Sequence, residues 1–153
     1  MTANETNITV SRVIDAPTNE IFDLLTLPQR HSEFDGSEMV RSDEKSQRIQ
    51  GTGDTFVMNM HNERMGDYQM ENHVHVYADN KLVGWQPKPI EDEQPAGWEW
   101  VYELEPLDSG STEVKLSYDW SRVTDEKLLP SFPAVSEEQL GESLNRLAAA
   151  VAG

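Results

Sequence analysis

The chain contains no cysteine. That excludes a disulfide scaffold and thiol chemistry. Basic residues are scarce: 12 Lys and Arg face 28 Asp and Glu, a formal net charge of −16. Such a field repels nucleic-acid phosphates and anionic lipid surfaces, which argues against nucleic acid as a partner. No apolar run reaches the roughly 18 residues of a membrane helix, so membrane insertion is not expected either. The opening MTANETNITV lacks the basic segment and apolar run of a signal peptide. The expectation is a soluble, cytoplasmic protein whose acidity serves solubility. Repeats, low-complexity tracts and linkers are missing too, and 153 residues predict a single domain over 1–153.

What is present is organised around residues 97–123. Trp98, Trp100, Tyr102 and Leu104 share one face of a strict alternation. Val114, Leu116, Tyr118 and Trp120 share one face of a second. Period two with one polar face predicts half-buried antiparallel strands, joined by the Asp-Ser-Gly of the loop 106–111. A hairpin centred near Ser109 sets Tyr102 opposite Leu116, Trp100 opposite Tyr118 and Trp98 opposite Trp120.

Upstream, residues 7–14 read as a strand with Ile8, Val10, Arg12 and Ile14 on one face. Pro17 then opens a short helix carrying Ile21, Phe22, Leu24 and Leu25, which Pro28 stops. A second short helix is expected over 29–34. Strand pieces are expected near 39–41 and 47–50. Residues 55–61 and 68–77 form a hairpin which, centred near Met65, sets Met60 opposite Met70, Met58 opposite Asn72 and Phe56 opposite Val74. A strand over 81–86 carries Val83 and Trp85, and 87–96 reads as an exposed acidic loop. Near the end, Ser136-Glu137-Glu138-Gln139 is a capping box. Leu140, Leu144, Leu147 and Val151 form the apolar stripe of a long helix. A twisted sheet with one apolar face needs a cover, and this helix is the only element large enough.

The chain resembles the START-like SRPBCC superfamily, and more narrowly bacterial polyketide cyclase/dehydrase-like proteins. The resemblance lies in Ile14-Asp15-Ala16-Pro17 with Ile21-Phe22, in the run HSEFDGS at 31–37, and in Gly51-Thr52-Gly53-Asp54. It continues through Asn72-His73-Val74, Tyr102-Glu103-Leu104 with Tyr118-Asp119-Trp120, and the C-terminal leucine helix. It implies an α+β helix-grip fold: a curved antiparallel sheet of six to seven strands around the long helix, with two short helices after the first strand. It also implies a pocket between sheet and helix. No catalytic motif carries over.

Candidate site residues follow from the inward faces. Trp85, Trp98, Trp100, Tyr102, Tyr118 and Trp120 form either an ordinary core or the wall of a cavity for an apolar or aromatic ligand. Trp98 and Trp120, at the open end of the hairpin, mark its expected mouth. Met58, Met60 and Met70 add adaptable surface, and Leu144 adds the helix side. Asn72 stands among apolar neighbours and must bond either a neighbour or a ligand. Arg12 pairs with a buried acid, leaves at the sheet edge, or binds an acidic ligand group. His73 and His75 form an H-x-H pair on the polar face. The nearest third histidine, His61, pairs near Gln69, roughly 13 Å from His73 along the strand, so no metal is expected. Gly51-Thr52-Gly53 lacks a P-loop lysine and a following helix, and reads as a turn. The acidic runs lack a calcium-loop pattern.

The function expected is binding of a small hydrophobic molecule (lipid, polyketide or aromatic metabolite) without a cofactor. One alternative is a cyclase/aromatase- or dehydratase-like enzyme in which Asn72, Arg12 or Tyr118 orients or protonates a reactive chain. Another is a protein-interaction or antitoxin-like module. Oligomeric state is left open, with a dimer among the options.

Overall fold

The computed structural model describes residues 6–44 and 47–152. Strand β1 (Asn7–Ile14) leads to helix α1 (Thr18–Leu25) and a 3-10 helix (Pro28–Glu33). Six strands follow: β2 (Val40–Asp43), β3 (Thr55–Asn62), β4 (Gly66–Ala78), β5 (Leu82–Pro89), β6 (Glu99–Asp108) and β7 (Ser111–Asp119). A short 3-10 turn (Leu129–Ser131) precedes the last helix, α2 (Glu137–Ala152). The seven strands form one antiparallel sheet in the order β1-β7-β6-β5-β4-β3-β2. This is the expected α+β helix-grip architecture: α2 contacts β1, β7, α1 and the first 3-10 helix.

The core lies between the inward face of the sheet and the helices. Ile14, Ile21, Leu25, Val114, Leu116, Leu140, Leu144 and Leu147 are all buried there. The leucine stripe of α2 faces inward as its spacing requires, with Val151 half-buried at its end. The capping box is complete. Ser136 Oγ accepts the Gln139 N–H at 3.1 Å, and Gln139 Oε1 accepts the Ser136 N–H at 2.9 Å. The helix is also clamped to the loop after the first 3-10 helix. Gly36 N–H donates to Ser143 Oγ at 2.8 Å, and Arg146 reaches the Asp35 carbonyl and the Glu38 carboxylate.

The β6–β7 register is the one expected, with Tyr102 opposite Leu116 and Trp100 opposite Tyr118. The ladder starts at Glu99, so Trp98 and Trp120 lie just outside it and do not pair. The β3–β4 register differs from the expectation by two residues: Met58 faces Met70, Phe56 faces Asn72 and Met60 faces Tyr68. The reason is the turn. Gly66 takes a left-handed φ of 71° and Asn62 Oδ1 accepts the Met65 N–H, which closes a three-residue loop over 63–65. A two-residue slip keeps every side chain on its face, so the inward set survives. His61 consequently pairs with Asp67, not near Gln69.

Three further elements depart from the expectation. Residues 47–50 form no strand; Ile49 N–H instead donates to the Thr26 carbonyl at the end of α1. Residues 29–34 become the 3-10 helix, begun by the proline that ends α1. Strand β5 runs on through Pro87 to Pro89, where a loop was expected. The prolines are tolerated because β6 pairs β5 only as far as Trp85–Trp100, so beyond Trp85 that edge of β5 has no strand to bond.

Candidate functional site

Inward-facing aromatic residues gather in two neighbouring clusters. The first is built by the β6–β7 ladder. The rings of Trp100 and Tyr118 stack at 4.1 Å and 8°, and Trp120 lies 5.0 Å from Tyr118. Phe132, from the loop before α2, lies 5.4 Å from Trp98 and stacks on Trp120 at 6.2 Å. It thus sits where the mouth of a pocket was expected. Tyr118 Oη accepts the Ala134 N–H at 3.1 Å, and burial pushes its phenol up to about 12.

The second cluster joins Trp85 of β5 and Tyr102 of β6 to residues that the sequence analysis did not single out. His31 stacks on Trp85 at 5.1 Å and 19°, and meets Phe34 and Phe56 edge-on. Tyr102 lies 6.0 Å from Trp85 and 6.3 Å from Phe34. The signal that could have found His31 and Phe34 is their spacing: in a 3-10 helix, i and i+3 eclipse on one face. The run HSEFDGS holds that spacing within the short helix expected over 29–34, but a segment so short shows no repeating apolar face.

The polar atoms of this second cluster are unusual. His31 is buried and its Nε2–H donates to the Leu25 carbonyl at 2.7 Å. Since a carbonyl only accepts, Nδ1 is the unprotonated nitrogen of a neutral ring. Desolvation holds the imidazole down at about 4, although Asp35 and Asp43 pull it the other way. Tyr102 is 5% exposed, and burial, with Asp35 nearby, keeps its phenol well above the usual range. Neither Nδ1 of His31 nor the hydroxyl of Tyr102 has a hydrogen-bond partner among the described residues.

The other expected site residues are distributed around these clusters. Met58 and Met70 are buried directly opposite one another, whereas Met60 is half-buried beside Tyr68, towards the β3–β4 turn. Asn72 is buried and donates through Nδ2 to the carbonyls of Phe56 and Met70, at 3.4 and 3.5 Å. Leu144 is buried on the inward face of α2. Arg12 is exposed; it meets an amide on α2, Asn145 Oδ1 at 3.0 Å, and no buried acid.

The H-x-H pair splits on the outer face. His73 Nε2 lies 2.8 Å from Glu71, whose carboxyl is held below its usual range by that bond and by Lys88. His75 occupies the β-bulge between Val74 and Val76, with Nε2 3.3 Å from Glu99 and a buried Nδ1 lacking a partner. His61 is bonded to Asp67. Among the described residues, no three His, Asp or Glu side chains converge as metal ligands. Open clefts mark the surface formed by the described residues: one of about 760 Å³ runs between β1, Gly36 and α2 and includes Arg12 and the edge of Leu144, and another of about 370 Å³ includes Arg41, Met60 and Tyr68. No helix among the described residues is long and apolar enough to cross a membrane.

Comparison with known proteins agrees with this architecture. The chain is 32% identical over 114 residues to an uncharacterized protein of Mycobacterium tuberculosis, a match covering 72% of this chain. The chain spans about half the length of that curated relative, 47%. Among solved structures, the Zhui aromatase/cyclase from Streptomyces sp. R1128 superposes with a TM-score of 0.68 at 12% identity, over 95% of this chain and 93% of that one. The Aha1 dimer from Colwellia psychrerythraea superposes with a TM-score of 0.58 at 20% identity, over 96% of both chains. At these identities the likeness establishes the fold. The sequence model described as "Activator of Hsp90 ATPase homolog 1-like protein" matches residues 15–152. The chain therefore belongs to the Activator of Hsp90 ATPase homolog 1-like family, within the SRPBCC, polyketide-cyclase-like superfamily.

Proposed function

We propose that this domain binds a small hydrophobic molecule, a lipid, polyketide or aromatic metabolite, between the inward face of the sheet and α2. The observation that carries this reading is the second aromatic cluster. Within it, His31 Nδ1 and the Tyr102 hydroxyl bond no described residue and are not fully enclosed, so each is left to meet a guest or solvent and not a packed neighbour. Trp85, Trp98, Trp100, Tyr102, Tyr118 and Trp120 supply the aromatic wall. Met58, Met60 and Met70 supply a surface that repacks around a guest, and Leu144 closes the helix side.

A second reading is a cyclase- or dehydratase-type enzyme on the same site. It is favoured by His31, an ionisable group inside the apolar layer whose pKa is displaced to about 4. The solved aromatase/cyclase of the same fold supports that reading by analogy only.

Native mass spectrometry of the chain purified from its own host tests the first reading. A small apolar adduct supports it; a stoichiometric protein partner in its place overturns it. Binding of neutral N-phenyl-1-naphthylamine offers a mutational check. Trp100→Ala removes the ring stacked on Tyr118 and should weaken probe binding at least about tenfold, the loss of a well-packed aromatic contact. A folded variant with undiminished binding means that the ligand sits elsewhere.

A further inference from the structure

We infer that Nδ1 of His31 and the hydroxyl of Tyr102 are a pair of polar anchors for an uncharged aromatic ligand that carries hydroxyl or keto oxygens. The inference rests on the proposed binding of a small apolar molecule at this face, and adds what that molecule must carry.

The two groups are brought together by shared neighbours. His31 lies 5.1 Å from Trp85 and 5.2 Å from Phe34, and Tyr102 lies 6.0 and 6.3 Å from the same two rings. They come from different parts of the chain, the 3-10 helix and β6, and the Nδ1 of His31 and the hydroxyl of Tyr102 bond neither each other nor any described residue. Their roles are complementary. With Nε2–H spent on Leu25, His31 offers only an acceptor, whereas the phenol of Tyr102 can donate. A ligand hydroxyl satisfies the first and a ligand carbonyl the second. Flat rings suit the rest of the lining, Trp85, Phe34 and Phe56.

The charge of the ligand follows from the surroundings. Every ring partner of His31 and Tyr102 is an aromatic side chain without positive charge. The charges that act on His31 are Asp35 and Asp43, both negative, and Asp35 acts on Tyr102 as well. Asp35 is itself committed, accepting from Ser37 and from the Val40 N–H. A carboxylate guest would meet the like charge of Asp35 and Asp43 and, among apolar rings, would leave its own solvation unreplaced. Fatty acids are thereby disfavoured and neutral phenols or ketones favoured.

Calorimetric titration with naphthalene, 2-naphthol and 2-naphthoate separates this inference from the reading beneath it. Wild type should bind 2-naphthol about tenfold tighter than naphthalene, the effect of one or two net hydrogen bonds, and 2-naphthoate more weakly than either. Tyr102→Phe keeps the ring and removes the hydroxyl; it should reduce the preference for 2-naphthol over naphthalene, measured on the same variant, to about twofold. The ¹⁵N resonance of His31 Nδ1 should move on addition of 2-naphthol and stay still with naphthalene, a readout that needs no variant. If naphthalene binds but Tyr102→Phe keeps the full preference and the His31 resonance is unmoved, the anchors are refuted and the site stands. Tight binding of 2-naphthoate also refutes them. If wild type binds none of the three, the ligand site itself falls and the anchors with it.

Discussion

At the scale of single residues, His31 couples stability to pH. Its imidazole ionises at about 4 in the folded chain and near 6.5 when unfolded. Between those values the unfolded state holds more protons, so stability rises with pH through this window. The neutral-ring contribution is complete above about pH 6.5 and is lost as pH falls towards 4, a change of about 3 kcal/mol. His31→Phe cannot titrate and keeps an aromatic ring beside Trp85. Urea denaturation at pH 7 and at pH 4.5 should show the variant losing about 2 kcal/mol less than wild type between the two conditions. Equal losses would mean that His31 is hydrated and charged in the folded protein. Tyr102 adds nothing to this window, because its phenol stays un-ionised throughout.

At the scale of elements, the clamp between α2 and the loop after the first 3-10 helix is the contact that permits least change. A Cβ on Gly36 would lie 2.2 Å from the Gln139 carbonyl and 2.7 Å from the Ser143 nitrogen, both backbone atoms that cannot swing aside. Gly36→Ala must push α2 away from the loop, and should cost about 3 kcal/mol or more, as overpacking against rigid neighbours does. Chemical denaturation measures it; a cost below 1 kcal/mol would show that the helix shifts freely. Ser136→Ala removes one half of the capping box and should cost about 1 kcal/mol by the same measurement, with no change in ligand affinity. The elements were largely legible because period two and the leucine stripe are enforced by burial: Trp100, Tyr102, Leu116 and Tyr118 had one inward face available. What was not legible depended on chain geometry. The β3–β4 register turned on the left-handed Gly66, a two-residue slip invisible to an alternation pattern. The extension of β5 through Pro87 depended on where its neighbour β6 begins. The site was half legible. Trp85 and Tyr102 announced themselves as inward aromatics, but His31 and Phe132 lie in short, irregular segments whose partners are distant in sequence. No local periodicity encodes such contacts.

At the scale of the whole molecule, the dominant fact is a net charge of −16 on 153 residues. The sheet places like charges directly opposite one another: Glu105 faces Glu113 and Glu99 faces Asp119 across the β6–β7 ladder. Each such pair opposes folding by up to about 1 kcal/mol at low salt. Salt also weakens the favourable ion pairs, Arg30–Glu33, Arg146–Glu38 and Arg146–Glu142. These are largely exposed and contribute little, a few tenths of a kcal/mol each. Acids outnumber bases by more than two to one, so relief of repulsion outweighs loss of attraction. Raising NaCl from 0.05 to 0.5 M shortens the screening length from over 10 Å to about 4 Å and should raise the thermal midpoint by about 2–4 °C, the equivalent of roughly 1 kcal/mol for a chain of this size. Glu113→Gln should lessen that gain by removing one opposed pair, whereas Glu142→Gln, which breaks a favourable pair with Arg146, should enlarge it. A midpoint that falls with salt would show that the ion pairs, and not the excess of acid, govern the electrostatics of the fold.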